Sequence, residues 1–180
     1  MRSFLITLLL AGPAMADPVM IEDFDANATE RWRYTSDRVM GGVSDGAAGL
    51  GRDGDLSFAQ LRGTVSTANN GGFIQIRTSL SERLPDNTTG VSLRIRGNGA
   101  RYYIHLGPVT ARRPWQYYQA GFETTGEWQE ISLPWSAFTP QGGLPATFAP
   151  ADIRSLGIVA YGANYEAQLD VDWVTATVDQ

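Results

Sequence analysis

The sequence feature that most constrains the fold is an alternation of apolar and polar side chains with a period of two. Residues 91–96, 101–106 and 169–173 each place an apolar side chain at every second position. Successive side chains of a β-strand point to opposite faces, so this period is typical of a strand with one buried face. Helical periodicity is hard to find, and the one helical turn that we predict covers residues 150–153. The chain is therefore predicted to be all-β.

Further short apolar segments predict more strands. They cover residues 19–24, 56–65, 73–80, 115–123, 128–133 and 156–161. Turn dipeptides such as Asp53-Gly54 and Asn70-Gly71 lie between the predicted strands. Many short strands at this spacing predict a β-sandwich or jelly roll.

The N-terminal segment has the order of a secretory signal peptide. Arg2 is followed by an apolar run over residues 4–10 and then by the small-residue triplet at residues 14–16. The run is shorter than the roughly 20 residues that a transmembrane helix needs, and a buried N-terminal helix is the alternative. We expect residues 1–16 to be cleaved and residues 17–180 to form a single β-sandwich domain. The mature protein is then expected to be periplasmic or secreted, in a bacterium.

Composition excludes several classes of site. The chain has no cysteine and no lysine, and His105 is its one histidine. These counts exclude disulfides, thiolate zinc sites and a phosphate-binding P-loop, and they argue against a Ser-His hydrolase. The formal net charge of −5 argues against a nucleic-acid partner. We therefore predict that the protein is not an enzyme.

Two glycine-containing segments, residues 37–46 and 69–73, are candidate binding loops. Paired glycines in a strand-like stretch indicate backbone freedom or a close approach, and the simpler interpretation is a β-bulge or hairpin turn. The alternative is a site shaped by backbone amides and Asp37. The candidate residues of these loops are Asp37, Met40, Gly41, Gly42, Ser44, Asn70, Gly71 and Gly72.

The outward positions of the predicted strands form a second candidate site. They mix rings with planar hydrogen-bonding groups: Gln75, Arg77, Arg94, Arg96, Tyr103, His105, Tyr117 and Gln119. Sugars stack on rings while polar side chains bind their hydroxyls, so this mixture favours a glycan. The ordinary solvated face of an antiparallel sheet would look similar. Trp115 opens a predicted strand and could be exposed, whereas Trp173 falls on the apolar face and is expected in the core.

Acidic residues near both ends of the domain suggest a structural calcium site. Terminal strands of a sandwich often pair, which would bring Glu22, Asp23 and Asp25 toward Asp170 and Asp172, and carboxylate oxygens suit Ca²⁺. Two carboxylates across a cleft could instead serve a glycoside hydrolase. Solvated surface acids without a role are the simpler interpretation of both sets.

Several ordered segments resemble the complex I intermediate-associated protein 30 family. They are residues 32–46, 61–66, 70–77, 93–102, 128–135 and 153–158. The resemblance runs from about residue 21 to residue 173. It implies a jelly-roll β-sandwich of the galactose-binding-domain-like kind, similar to carbohydrate-binding modules, with no known catalytic residues. Mitochondrial members are assembly chaperones of respiratory complex I in the matrix, whereas this chain is expected to be exported.

Three functions remain open from the sequence. The first is a non-catalytic exported assembly or binding module that holds a protein partner through loops 37–46 and 69–73. The alternative is a carbohydrate-binding module that uses an aromatic and arginine sheet face. A carboxylate-dependent glycoside hydrolase is the lowest of the three.

Overall fold

The computed structural model describes residues 17–178 and contains two antiparallel six-stranded sheets. The strands are β1 (Val19–Glu22), β2 (Arg33–Ser36), β3 (Asp45–Asp53), β4 (Leu56–Val65), β5 (Phe73–Ser79), β6 (Thr88–Gly97), β7 (Arg101–Pro108), β8 (Tyr118–Glu123), β9 (Gln129–Pro134), β10 (Thr139–Pro140), β11 (Ile153–Tyr161) and β12 (Tyr165–Val178). The helical segments are α1 (Ala28–Arg31) and the 3₁₀ turns Asp37–Met40, Ala68–Asn70, Trp135–Ala137 and Pro150–Asp152. The predicted all-β sandwich is confirmed.

Each sheet contains strands from both the N-terminal and the C-terminal half of the chain. The first sheet has the order β3-β4-β12-β6-β9, with β1 also paired to β12. The second sheet has the order β10-β8-β7-β11-β5-β2. The predicted pairing of the terminal strands is therefore correct.

The inner faces of the two sheets form one hydrophobic core. Its fully buried side chains include Leu93 and Ile95 from β6, Ile104 from β7 and Ile158 from β11. The neighbours of these positions along each strand point outward and are polar or small, apart from Val159 beside Ile158, which is the period seen in the sequence. Burial of one such side chain stabilises the fold by about 1.5–3 kcal/mol. The core therefore holds the outward side chains of both sheets in fixed rows.

The sequence missed β2, β3 and the short β10. β3 is rich in glycine and alanine, so it has almost no alternation to detect, and Asp45-Gly46, which resembles a turn, opens it. The Asp53-Gly54 turn is confirmed, since β3 ends and β4 begins around it and Gly54 has a φ of 61°. The helical turn predicted near residue 150 is also present.

A β-bulge in β12 overturns the prediction that Trp173 is a core residue. Val171 pairs with Ile95, but the register shifts and Trp173 pairs with Arg94, while Val174 pairs with Leu93. The extra residue moves Trp173 to the side of Arg94, where it is half-buried.

No helix within residues 17–178 is long and apolar enough to cross a membrane. The predicted signal peptide at residues 1–16 lies outside the described residues.

Candidate functional site

The two glycine-containing loops meet at Asp37, whose carboxylate is fully buried at 0% exposure. Its Oδ1 accepts a hydrogen bond from the Ser44 backbone N–H at 2.9 Å, and its Oδ2 accepts one from the Ser44 hydroxyl at 2.5 Å. Oδ2 also accepts from the backbone N–H groups of Gly72 at 2.5 Å and Phe73 at 3.3 Å. Burial alone would raise the pKa of Asp37, but these hydrogen bonds outweigh it and lower the pKa. Asp37 therefore ties the first loop to the second.

The paired glycines make room for this carboxylate. A methyl group on Gly42 or Gly71 would overlap the Asp37 side chain. Gly41 has a φ of 91°, in the left-handed region that favours glycine, and ends the 3₁₀ turn Asp37–Met40. The glycine pairs thus lie at 3₁₀ turns around a buried acid, and the interpretation as β-bulges or hairpin turns is wrong.

Burial divides the predicted loop residues into three groups. Asp37, Ser44 and Gly72 are buried and cannot contact a partner, while Met40, Gly41 and Asn70 are exposed. Gly42 and Gly71 are partly buried beside the carboxylate.

An apolar patch lies on the exposed side of the first loop. Val39, Met40 and Val43 are 76%, 63% and 46% exposed. Met40 is the one residue of this patch that was predicted from the sequence, although both valines belong to the same predicted loop. Large apolar side chains in solvent at adjacent positions are a feature of partner-binding surfaces.

The outer face of the second sheet gathers the rings of the other candidate site. We call it the tyrosine face and define it by the outward residues Gln75, Arg77, Tyr103, His105, Tyr117, Gln119, Val159 and Tyr161. Pairing between strands sets them side by side, because Val159 lies between Gln75 and Tyr103 and Gly157 lies between Arg77 and His105. Gln119 is opposite His105 on the next strand. Six predicted residues from three separate segments are thereby brought together: Gln75, Arg77, Tyr103, His105, Tyr117 and Gln119.

The rings of the tyrosine face contact one another in defined geometries. His105 and Tyr117 are stacked, with ring centroids 3.9 Å apart and an interplanar angle of 12°. Tyr161 meets both Tyr103 and His105 edge to face, at 5.8 Å and 5.7 Å. Tyr161 is 36% exposed and was not predicted as a site residue from the sequence. Its position one strand away from Tyr103 is decided by sheet order, so no local pattern could identify it.

His105 is a neutral member of this cluster. Its pKa is lowered to about 4, chiefly by burial and also by the nearby charge of Arg77, while a hydrogen bond to Gln119 partly opposes both. Its Nε2 lies 3.0 Å from Gln119 Oε1, which can only accept, so Nε2 carries the proton. Burial and the neighbouring Tyr161 raise the pKa of the Tyr117 hydroxyl. Both rings are therefore uncharged near neutral pH.

Trp115 lies in the loop between β7 and β8 rather than in a strand. Its side chain is 55% exposed, and the Arg113 guanidinium carbon is 5.3 Å from its ring centroid. The strand predicted from residue 115 begins at Tyr118, because Arg113 and Gln116 close a turn through a backbone hydrogen bond of 3.0 Å.

Arg94 is not part of the tyrosine face, so grouping it with Arg77 was wrong. It lies on β6 of the first sheet and pairs with Asp172. Its neighbour Arg96 pairs with Asp170 at 2.7 Å. Alternation places a residue on a strand face but does not say which sheet the strand joins.

The predicted calcium ligands are divided in the same way. The predicted first-strand acids Glu22, Asp23 and Asp25 do lie together, with oxygens within 4.8 Å of one another. The last-strand acids Asp170 and Asp172 pair with arginines of the first sheet instead. Arg31 donates from one nitrogen to both Glu22 at 2.6 Å and Asp25 at 2.8 Å. This guanidinium already lies between the oxygens that a calcium ion would need, so the residues do not fit the ion in this arrangement.

Comparisons with solved structures show the same fold in carbohydrate-binding modules. A family 11 carbohydrate-binding module from Clostridium thermocellum, solved with a β-1,3-1,4-mixed-linked tetrasaccharide, matches with a TM-score of 0.72 and 17% identity over 89% of this chain and 95% of that one. The family 11 module of the cellulase Lic26A-Cel5E from the same organism matches with a TM-score of 0.74 and 16% identity over 92% and 97%. A structure described as a family 4 module matches with a TM-score of 0.53 and 16% identity over 92% and 96%.

These likenesses confirm the predicted jelly-roll sandwich of the galactose-binding-like kind. No curated protein sequence matches the chain. The family model described as complex I intermediate-associated protein 30 matches residues 22–171, which include both glycine-containing loops and the whole tyrosine face. The chain therefore belongs to the complex I intermediate-associated protein 30 family.

Proposed function

We propose that this protein is a non-catalytic glycan-binding module and that its ligand lies on the tyrosine face. The observation that carries the proposal is the cluster of Tyr103, His105, Tyr117 and Tyr161 on one outward sheet surface. Tyr161 is exposed and Tyr103 and Tyr117 are half-buried, so ring surface remains open to solvent.

The chemistry of this face suits a sugar. Sugar rings present apolar C–H faces that stack on aromatic side chains, while their hydroxyls need planar donors and acceptors at the rim. Gln75 and Gln119 are half-buried amides beside the rings. His105 is uncharged at pH 7, so its ring adds no charge at the centre of the face. The similar fold of a module solved with a tetrasaccharide supports the proposal at the level of the scaffold.

The proposal is tested by removing rings from one sheet at a time. Tyr161→Ala and Tyr117→Ala should lower affinity for a bound oligosaccharide at least tenfold in isothermal titration calorimetry, which corresponds to about 1.4 kcal/mol. The matched control is Trp128→Ala, which removes a half-buried ring from the outer face of the first sheet. Unchanged affinity in both tyrosine variants, or no binding to any glycan of a broad array, would refute a glycan site on this face.

The face offers little for glycosidase chemistry. That reaction requires two carboxyl groups across the bond to be cleaved. Within residues 17–178, the outward strand residues of the second sheet include one carboxylate, Glu123, and it pairs with Arg101 at 3.3 Å. The family and the similar modules are consistent with binding without catalysis.

A protein partner is the second candidate, and the exposed loop patch of Val39, Met40 and Val43 favours it. Asp37 holds this loop from inside, so the patch is presented on a fixed backbone and loses little conformational entropy on binding. A tagged mature protein should recover a partner from envelope extracts, and replacing Val39 and Met40 with serine should abolish recovery while Tyr161→Ala does not. Equal recovery with the loop variant would remove this candidate.

Both candidates assume export, which we propose from the N-terminal segment. Intact mass of the protein isolated from its host should correspond to a chain beginning at Asp17, in the periplasmic fraction or the medium. A full-length mass in the cytoplasm would contradict it.

A further inference from the structure

Two arginines lie directly opposite each other at one end of the tyrosine face. Arg33 of β2 and Arg77 of β5 are register partners, and both side chains are exposed. Residues directly opposite in an antiparallel pair point to the same face, so the two guanidinium groups share one side of the sheet. The row continues through Gly157 and His105 to Gln119. The arginine pair is thus continuous with the rings proposed to bind sugar.

Neither arginine is neutralised by an acid within residues 17–178. The ion pairs of that part of the chain involve Arg31, Arg38, Arg62, Arg94, Arg96 and Arg101. Like charges directly opposite on neighbouring strands destabilise a sheet. A chain with an excess of acids, at a net charge of −5, nevertheless leaves this pair without a carboxylate. A bound anion would relieve the repulsion.

The Arg77 side chain is already positioned to bind an anion. Its Nη2 donates to the Ser155 hydroxyl at 2.5 Å, and the side chain crosses Gly107, where a Cβ atom would overlap it. Glycine in the interior of β7 therefore makes room for the guanidinium to lie across the sheet. One of the five N–H donors of Arg77 is used by Ser155, which leaves the others for an oxyanion.

A cavity beside the pair has the size and charge for a ligand. It has a volume of about 690 Å³, and its lining includes Arg33, Arg77, Arg83 and the Arg31–Glu22 ion pair. Glu82 is the other acid that lines it, so the arginines are in excess. Small-molecule sites commonly have volumes of about 300–1,000 Å³.

We infer that the glycan bound by this protein is acidic and that Arg33 and Arg77 together bind its carboxylate or sulfate group. The inference rests on the proposed function and adds the class of sugar. Neutral rings on Tyr103, Tyr117 and Tyr161 contact the sugar faces, while the arginine pair selects an oxyanion in the same row. Paired guanidinium groups recognise such planar anions through several hydrogen bonds at once.

The test compares matched acidic and neutral oligosaccharides on the mature protein, residues 17–180. Calorimetry with a galacturonate oligomer, its methyl ester, a sulfated galactan oligomer and its desulfated form separates carboxylate from sulfate. We expect at least one acidic oligomer to bind tenfold or more tightly than its neutral form at 50 mM salt, with affinity falling as salt rises. The control is Arg52→Gln, which removes an exposed arginine from β3 of the first sheet.

Arg33→Gln should reduce affinity for the acidic oligomer at least tenfold and leave affinity for the neutral form unchanged. Arg77→Gln should also reduce affinity for the acidic oligomer at least tenfold, and by a larger factor than affinity for the neutral form. Equal affinity for acidic and neutral forms, or no effect of either glutamine variant, would overturn the acidic ligand while binding that depends on Tyr161 would still support the glycan site. Failure of every oligomer to bind the wild-type protein would overturn both proposals.

Discussion

The outer faces of the two sheets carry similar residues but in opposite electrostatic states. On the first sheet, Arg62 and Arg96 both pair with Asp170, which lies between them on β12. On the second sheet, Arg33 and Arg77 stand opposite each other and no acid of the described residues pairs with them. Strand neighbours explain the difference, because β12 contributes aspartates to the first face, whereas β11 contributes Gly157 and Val159 to the second.

The aromatic side chains of the two faces differ in the same sense. Trp128 lies beneath the guanidinium carbons of Arg94 and Arg96, at 5.0 Å and 4.7 Å from its ring centroid, and meets Phe58 edge to face at 5.5 Å. On the tyrosine face, rings stack on rings and Tyr161 stays exposed. Satisfied charges and covered rings suit a stabilising role for the first face, while open rings and unpaired cations suit the second face to the binding that we propose.

The largest expected effect on stability comes from breaking the ion-pair network of the first face. Asp170→Ala leaves Arg62 and Arg96 without their shared carboxylate, whose side chain is 6% exposed. Removal of a buried partner typically costs about 3–5 kcal/mol, and because both arginines are partly solvated we expect about 3 kcal/mol in urea denaturation. Glycan affinity should not change. Glu127→Gln, at an exposed loop acid, is the control, and an equally stable Asp170 variant would show that the network does not stabilise the fold.

The second effect is a pH dependence of the protein's stability, which is caused by His105 in the tyrosine face. The pKa of His105 is about 4 in the folded protein and 6.5 in the unfolded chain, so the unfolded chain binds a proton first as pH falls. Stability is therefore full above pH 6.5 and decreases down to pH 4, by about 3 kcal/mol in total. Denaturation curves of wild type and His105→Gln between pH 7 and pH 4 measure this.

The glutamine variant should lose the dependence within that window. The lowered pKa values of Glu22 and Asp37 act on stability mainly below it, where the carboxylates protonate. A parallel decline in both proteins from pH 6.5 would show that His105 is not the group responsible.

The third effect contrasts one ring from each face. Trp128→Ala removes two cation–π contacts and the packing on Phe58, and should cost about 2 kcal/mol of stability. Tyr161→Ala should cost under about 1 kcal/mol, since its ring is more exposed and its contacts are edge to face. Thermal unfolding of both variants decides the point. A larger loss for Tyr161 would mean that the tyrosine face supports the fold more than expected.

The smallest effect comes from the arginine pair itself. Arg33→Gln should change the free energy of unfolding by no more than about 0.5 kcal/mol, and in the stabilising direction, because it relieves repulsion with Arg77. Arg96→Gln, which loses a salt bridge and two ring contacts, is the comparison and should be clearly destabilising. A marked loss of stability in Arg33→Gln would indicate a structural role for the pair.

The fold was largely predictable because its strands alternate. Residues 56–65 were predicted in full as a strand, and the glycine-rich β3 was not, since only side chains of contrasting polarity reveal the period. The prediction that Trp173 lies in the core failed for a related reason. One extra residue in β12 moves every later side chain to the opposite face of the sheet.

For the candidate site, the sequence predicted several of the residues but not which of them lie together. Tyr103, His105 and Tyr117 were identified as outward residues, yet Arg94 was grouped with them and Tyr161 was not. The Asp37 loop shows the same limit. The sequence indicated that Asp37 and the glycines belong together, but the burial that turns them into an internal tie depends on two loops 35 residues apart in the chain.

The sequence by itself determined the all-β class, the family and the residue types that could bind a sugar, since local periodicity and ordered motifs are properties of the chain. The tertiary structure alone decided which of those residues share a surface. Sheet order placed β6 beside the aspartates of β12 and β5 beside the glycine of β11. Whether an arginine is neutralised or left free for an anion follows from that placement, because electrostatic partners are chosen by distance in space and not by distance along the chain.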